Sequence, residues 1–373
     1  MADRDRVWLE VGERAYGGWK SVSVEGSIET IAGGFSIGMA DPKDSRIKVP
    51  AEVVTWPVVP GDACRVLIGD DPVIVGWIDD AEPELSPDNH NLTVTGRDRT
   101  ADLVDCSAVH SPDEWNLHLE EVSRILCRDF GIEVSVRDIS TGAAFKPFKL
   151  QPDETAFAAI ERMCRMRAVL PMSDGVGGLV LTRAGSATTG SPIIEGKNLL
   201  WAKAHYSQKD RFSQYIVKGQ TLDTGQGSEA AATVKATARD GGVKRYRPLV
   251  VLAEDLAEGT SPQERAQWEA SVRAGRATRV SVKVQGWRQE DGKLWPLNGL
   301  VPVQIPTLGI EATLLIVSRR VVLDENGSTT ELELARADAY RLLPEVPKGN
   351  KATGLPPGTE VVTDEKQLKG RAA

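Results

Sequence analysis

Two acidic pairs, Asp70-Asp71 and Asp79-Asp80, come nearest in this chain to a metal-binding or acid/base constellation. Paired carboxylates can hold a hard cation or divide the two roles of a hydrolase. Both pairs sit at turns or strand-like runs, where aspartate is common because its side chain bonds its own backbone. Turn and strand-edge carboxylates are therefore the expected reading. The four histidines are His90, His110, His118 and His205. No two have the i,i+4 spacing that puts two imidazoles on one helix face for zinc. His118 falls on a predicted helix near Glu121, as a local charge pair. The cysteines Cys64, Cys106, Cys127 and Cys164 form no CxxC and read as buried, reduced thiols. Gly175-Val176-Gly177-Gly178 lies between two strand-like runs, which makes it a hairpin turn and not a phosphate cradle. HExxH, Walker, nucleophile-elbow and GxGxxG motifs are absent. No catalytic, metal-binding or cofactor-binding residue is expected.

Trp287 and Trp295 flank the short turn Glu290-Asp291-Gly292. Such a pair could stack nucleic-acid bases on an oligonucleotide-binding barrel. A net charge of −8 opposes strand binding, which favours a place in a barrel core or subunit interface. Arg97, Asp98, Arg99 and Asp102 alternate in sign. A solvated face and an intersubunit salt-bridge girdle fit them equally well.

The elements that carry these residues are mostly strands. From Val7 to about Thr100 apolar and polar positions alternate, most clearly in Ser21 to Ile28, with turn residues at Gly33-Gly34, Asp41-Pro42, Pro57, Pro60-Gly61 and Asp71-Pro72. Strands are predicted over 63–68, 73–78 and 92–95, and a polar turn over 87–91. A similar succession recurs at 301–305, 314–323 and 329–335. The interval from the leading glycine to the closing aspartate is 37 residues in one copy (Gly61 to Asp98) and 39 in the other (Gly299 to Asp338). Two near-equal β units far apart in one chain point to a duplicated antiparallel barrel. Between them, Ser111-Pro112-Asp113-Glu114 predicts an N-cap and a helix to about Phe130, ended by Gly131. A strand at 132–136 follows, then a helix over 154–167 with Phe157, Ile160, Met163 and Cys164 on one face. A hairpin over 169–182 completes a small α+β domain. Arg211 to Gln220 is expected to open the second barrel. Residues 221–234 are rich in Gly, Ser and Ala and read as a mobile loop. Ser261-Pro262-Gln263-Glu264 starts a helix to about Arg276, and a strand over 278–285 resumes the barrel.

With 373 residues the chain has room for two or three domains. The predicted division is 1–100, first β-barrel; 101–185, small α+β domain; 186–345, second β-barrel with an insertion at about 221–277; and 346–373, flexible tail. The N-terminus carries no apolar stretch of signal-peptide length and no run is long enough to span a bilayer. Synthesis in the cytoplasm, with no membrane binding, is expected.

The ordered set of signatures resembles the baseplate hub proteins of Mu-like contractile-tail bacteriophages, found also in prophages and phage-tail-like bacteriocins. The set comprises Gly76-Trp77-Ile78-Asp79-Asp80, Thr95-Gly96-Arg97-Asp98-Arg99-Thr100-Ala101-Asp102 and Arg211-Phe212-Ser213-Gln214-Tyr215-Ile216-Val217-Lys218-Gly219-Gln220. It continues with Arg245-Tyr246-Arg247-Pro248, Arg265-Ala266-Gln267-Trp268-Glu269, Gln285-Gly286-Trp287 and Gly292-Lys293-Leu294-Trp295-Pro296-Leu297-Asn298. It runs from about Val7 to Leu343. The upper half of type VI secretion spikes shares the double-barrel plan.

The resemblance implies a homotrimer in which three pairs of barrels make a six-fold-like ring. That ring would join the tail tube, or a tube-initiator protein, to a trimeric central spike, among other baseplate proteins. DNA would be a transient passenger in the lumen. The implied place is the virion tail baseplate, and the implied role is structural, without catalysis. Trp77, Gly96, Arg97, Asp98, Asp102, Gly219, Gln220, Gly286, Trp287, Trp295 and Asn298 are the candidate barrel or subunit-interface signature. The alternatives from other classes are a hub with cell-wall hydrolase activity in the inserted domain, and an oligonucleotide-binding barrel protein.

Overall fold

The computed structural model describes residues 3–40, 58–85, 90–185, 187–220, 233–252 and 261–344. Strands come first: β1 (Val7–Val11), β2 (Arg14–Tyr16), β3 (Ser21–Ser27), β4 (Gly34–Ala40), β5 (Ala63–Ile68), β6 (Asp71–Leu85) and β7 (His90–Asp98). Their period-two pattern turns Leu9, Val22, Val24, Ile37, Val66, Ile68 and Val94 into one core. The turns at Asp41-Pro42 and Pro57 and most of the 87–91 turn lie outside the described residues.

The chain then changes period. Helices α1 (Ala101–Asp105), α2 (Leu119–Arg128) and α3 (Ala156–Arg167) alternate with β8 (Glu114–Trp115), β9 (Val134–Val136), β10 (Phe148–Lys149), β11 (Leu170–Ser173) and β12 (Leu179–Thr182). Ile160, Met163 and Cys164 are buried from one face of α3, and Phe157 packs beside them. Thr155 caps α3, its hydroxyl accepting from the Ala158 N–H. The helix expected to start after Ser111 starts at Leu119 instead. Glu114–Trp115 is extended and pairs with Phe148–Lys149, which satisfies its backbone while Trp115 and Phe148 enter the same core. The capping box passes to His118 and Glu121: the His118 N–H donates to Glu121 Oε2 at 2.8 Å.

The remaining elements are β13 (Ala187–Thr188), β14 (Ile193–Ile194), β15 (Leu199–Tyr206), β16 (Gln214–Gln220), β17 (Thr233–Arg239), β18 (Pro248–Leu252), α4 (Pro262–Arg276), β19 (Thr278–Gln285), β20 (Gly299–Ile305), β21 (Ile310–Asp324) and β22 (Gly327–Ala335). The segment over 214–220, expected to open the second barrel, does not join it. β16 pairs with β17 and β18 in a separate three-stranded sheet that packs on α4. The strand that flanks β19 is β15. Tyr215 and Val217 of β16 are buried, and their alternation reads the same in either sheet, so the sequence pattern could not choose the partner. Most of the expected 221–234 loop and all of the 346–373 tail lie outside the described residues.

The fold is mainly β, with large antiparallel sheets and few helices. One sheet of fourteen strands runs through both β units in the order β15-β19-β22-β21-β3-β4-β7-β6-β5-β1-β2, with β20 on β21 and β13 and β14 on β20. The two units repeat one plan. β3-β4-β7-β6-β5 in the first corresponds to β15-β19-β22-β21-β20 in the second. β6 and β21 have 15 residues each and β7 and β22 have 9 each. A register shift falls at Ile78/Asp80 in one and at Ile316/Ser318 in the other. The units meet where β21 pairs with β3, from Ser318 opposite Ser27 to Leu323 opposite Val22.

Candidate functional site

Five of the signature residues meet where β6 crosses β7 and the chain enters α1. Gly76 and Gly96 let the two strands bend past each other. A Cβ on Gly96 would strike the Trp77 carbonyl and the Phe35 ring, and one on Gly76 would strike the Arg97 carbonyl. Arg97 reaches Asp79 at 2.7 Å and Asp105 at 2.8 Å. Its bond to Asp79, then that to Asp105, holds the guanidinium above its usual range. These ion pairs are partly exposed and add little stability. Trp77 Nε1 donates to Asp102 Oδ2 at 3.0 Å. Trp77, Arg97 and Asp102 line one cleft with Gly61 and Asp79.

Asp98 points the other way and is fully buried. Its Oδ2 accepts from the Gly33 N–H at 2.8 Å and from Ser173 Oγ at 2.8 Å. Its Oδ1 accepts from the Thr100 N–H at 2.8 Å and from the Thr100 hydroxyl. Ser173 belongs to β11, so this carboxylate ties the first β unit to the α+β unit. Burial raises its pKa above the ordinary 3.8, against the opposing pull of these bonds.

The other signature residues lie on the second half of the chain. Trp287 and Trp295 are each 1 % exposed, so neither ring forms an exposed stacking face. They also enter different cores. Trp287 packs with Val22, Ile37 and Val321 in the first β unit and donates Nε1 to the Val322 carbonyl at 2.9 Å. Trp295 packs with Val282, Val301 and Leu332 in the second. Gly286 takes a φ of +72°, which a side chain rarely adopts. Asn298, at φ +61°, accepts from the Gly185 N–H and donates to the Arg183 carbonyl, both at 2.8 Å. It pins the link out of the α+β unit to the start of β20. Gly219 and Gln220 end β16, opposite Val234 and Thr233, away from the other nine.

Arg288 was not singled out from the sequence, yet it joins the two halves. It bonds Asp5 at 3.2 Å, Asp71 at 2.6 Å and the carbonyls of Arg4 and Ile68 at 2.9 and 2.8 Å. The only sequence clue is its place next to Trp287. Asp71 is thus an ion-pair partner, and so is Asp79. Among the described residues no three of His, Cys, Asp and Glu gather as a metal-binding group. Cys64, Cys127 and Cys164 are buried and free, and burial pushes the first two thiols up to about 12. Cys106 is exposed.

One face of the large sheet carries two grooves with charged linings. Trp201, Lys203, Ser281, Lys283, Glu331 and Glu333 line one groove on it, and Ser23, Ser36, Asp80, Thr95 and Arg97 another, with Glu25 and Arg320 in both. Lys283 pairs with Glu331 at 2.9 Å, and Arg320 donates to Ser23 Oγ at 2.8 Å. The opposite faces of the same strands carry Val22, Val24, Ile37, Val94, Val280, Val282 and Leu332, all buried. A sheet with one dry face and one wet, charged face can wall a water-filled channel or meet a polar partner.

Comparison with known proteins agrees with that geometry. Four family descriptions match in chain order. They are "Mu phage baseplate assembly protein GpP-like, N-terminal" over residues 6–98 and "Baseplate hub protein gp44-like, second domain" over 100–183. "Tail protein NMB1110-like, third domain" covers 211–268, and "Mu phage baseplate assembly protein GpP, fourth domain" covers 259–344. Baseplate hub protein gp44 of Escherichia phage Mu is 35 % identical over 358 residues, 93 % of this chain and 92 % of that protein. The solved 43 kDa tail protein of prophage MuSo2 from Shewanella oneidensis superposes with a TM-score of 0.77 at 32 % identity. The match spans 90 % of this chain and 99 % of that one. A tail protein from Neisseria meningitidis MC58 shares the fold, with a TM-score of 0.73 at 20 % identity over 90 % and 98 % of the two chains. With more than a third of its residues identical to the Mu protein across nearly the whole length of both, this chain belongs to the Mu-type phage baseplate hub protein family.

Proposed function

We propose that this protein is the structural hub of a contractile phage tail, placed in the virion baseplate. Three copies form a ring of six similar β units. The ring receives the tail tube or its initiator on one side and seats a trimeric central spike on the other. The observation that carries this reading is the repeat of one five-strand plan in a single chain, with the two copies hydrogen-bonded edge to edge through β3 and β21. A three-to-six adapter needs two similar surfaces per subunit, and a joined duplicate supplies them. The division into a first β unit over 1–100, an α+β unit over 101–185 and a second β unit over 186–345 belongs to this proposal. So does the signature role of the residues around Arg97 and Asp102 as girdle or contact positions.

The wet face of the sheet is then the lumen wall. It carries acids and bases in alternation, Glu331 beside Lys283 and Glu25 opposite Arg320. On such a wall Lys283 and Arg320 each face an acid and are not left free to hold phosphate, so DNA can pass without sticking. The role is mechanical and requires no catalysis. Light scattering coupled to size exclusion tests it. The expected mass is three times the 40.4 kDa chain, and a monomer at every soluble concentration counts against the ring.

A further inference from the structure

The joint inside each chain supplies a pattern that a second copy can repeat. After its register shift, β21 offers its outer edge, Ser318 to Leu323, to β3. The matching edge of the first unit is the second half of β6. Among the described residues β5 pairs with β6 only up to Trp77, and from Asp80 onward β6 has β7 alone. The counterpart of β3 in the second unit is β15, which ends the sheet and pairs with β19 alone. Among the described residues the large sheet therefore keeps one free acceptor edge and one free donor strand, the quasi-equivalents of the two strands already joined. At the other end of the large sheet, β2 is three residues long, a length that blunts pairing.

We infer that β15 of one chain pairs antiparallel with the second half of β6 of the next copy, extending the sheet head to tail around the ring. This rests on the ring reading above and adds its register. Aligning the two shifts equates Ile78 with Ile316 and Gly96 with Leu334. Arg97 then matches Ala335, Gly34 matches Arg279, and Glu25 matches His205. Within the chain Arg320 faces Glu25 and Val322 faces Ser23. Between chains the same positions set Glu82 against His205 and Glu84 against Lys203.

The chemistry of the two edges agrees. Asp80, Glu82 and Glu84 make the β6 edge acidic, while Lys203 and His205 lie on β15, and all five are exposed. Cross-strand pairs of opposite charge favour a register, and like charges oppose it. Lys203 meets an acid, Glu84, on a β6 edge but the apolar Val322 on a β21 edge, so a chain's β15 is better matched to a β6 edge. Leu200, Trp201 and Tyr206 of β15 are 54 %, 51 % and 58 % exposed, large apolar side chains along the strand that an interface would cover. Pro83 has no N–H, which removes at most one ladder bond.

The test uses the full chain with Cys106→Ser as background. Glu82→Cys and His205→Cys together, treated with a short bis-maleimide, should give covalent dimer and trimer on a denaturing gel. Asp80→Cys with Lys203→Cys, out of register by about 13 Å at the strand rise, should not. A trimeric mass without linkage at 82 and 205 would overturn the joint and leave the ring reading intact. A monomeric mass would overturn both. Glu84→Lys alone should weaken the trimer roughly tenfold, and adding Lys203→Glu should restore it. A trimer indifferent to Glu84→Lys would also sink the inferred register.

Discussion

Asp98 closes a strand, starts the turn into α1 and holds β11, all through one carboxylate. Both oxygens accept from a backbone N–H and a hydroxyl. An amide cannot replace it, because its NH2 must face one of those N–H groups. Asp98→Asn should cost about 2–3 kcal/mol in urea unfolding. The pH dependence has a definite sign. Burial raises the folded pKa above the unfolded 3.8, so this group's stability is fully present below the unfolded value and is lost as pH rises through the folded one. The gap between wild type and Asp98→Asn should therefore widen as pH falls toward 3.8. A gap that narrows on acidification would mean that the bonds outweigh burial. The charge pattern of Arg97 to Asp102 was legible as a cluster. That Asp98 turns inward while Arg97 turns out follows from alternation along β7, but its Ser173 partner lies 75 residues away.

At the level of elements, the crossing of β6 and β7 depends on two glycines that act by close approach. A Cβ at Gly76 would meet the backbone of Arg97 and Asp98 on β7, with Asp98 Cα at 2.6 Å, and backbone cannot swing aside. Gly76→Ala and Gly96→Ala should each cost about 3 kcal/mol, the upper range for overpacking. Gly34→Ala meets its nearest neighbour at an ordinary 3.6 Å and should cost less than about 1 kcal/mol. Unfolding midpoints of the three variants test the ranking, and equal losses would show strand propensity at work and not the crossing. Most strands were legible because half-buried strands alternate. The 63–68 strand and the α4 helix with its Ser261–Glu264 box fall where the sequence puts them. The α2 start was missed because Ser111-Pro112-Asp113-Glu114 satisfies local capping rules that the burial of Trp115 overrides.

In the whole molecule, the seam between the β units is a strand pairing and not a loose domain contact. The Ile28 N–H bonds the Val317 carbonyl at 2.9 Å at its end, and Trp287 of the second half fills the first unit's core. Amides of β3 and of Ser318 to Leu323 should exchange as slowly as those of β6 and β7 in hydrogen exchange. Fast exchange confined to the seam would mean that the units hinge there.

The sequence by itself determined the β class, the presence of a repeat, the capping of α4 and the family signature. These follow from short-range periodicity and turn chemistry, which a linear pattern carries. The tertiary structure alone decided the pairing of β3 with β21, the placement of β16 in its own sheet, the burial of Trp287 and Trp295 in separate cores, and the reach of Arg288 to Asp5 and Asp71. An alternating strand exposes the same edge to every partner, and a two-residue period says which face is dry but not which neighbour supplies the hydrogen bonds.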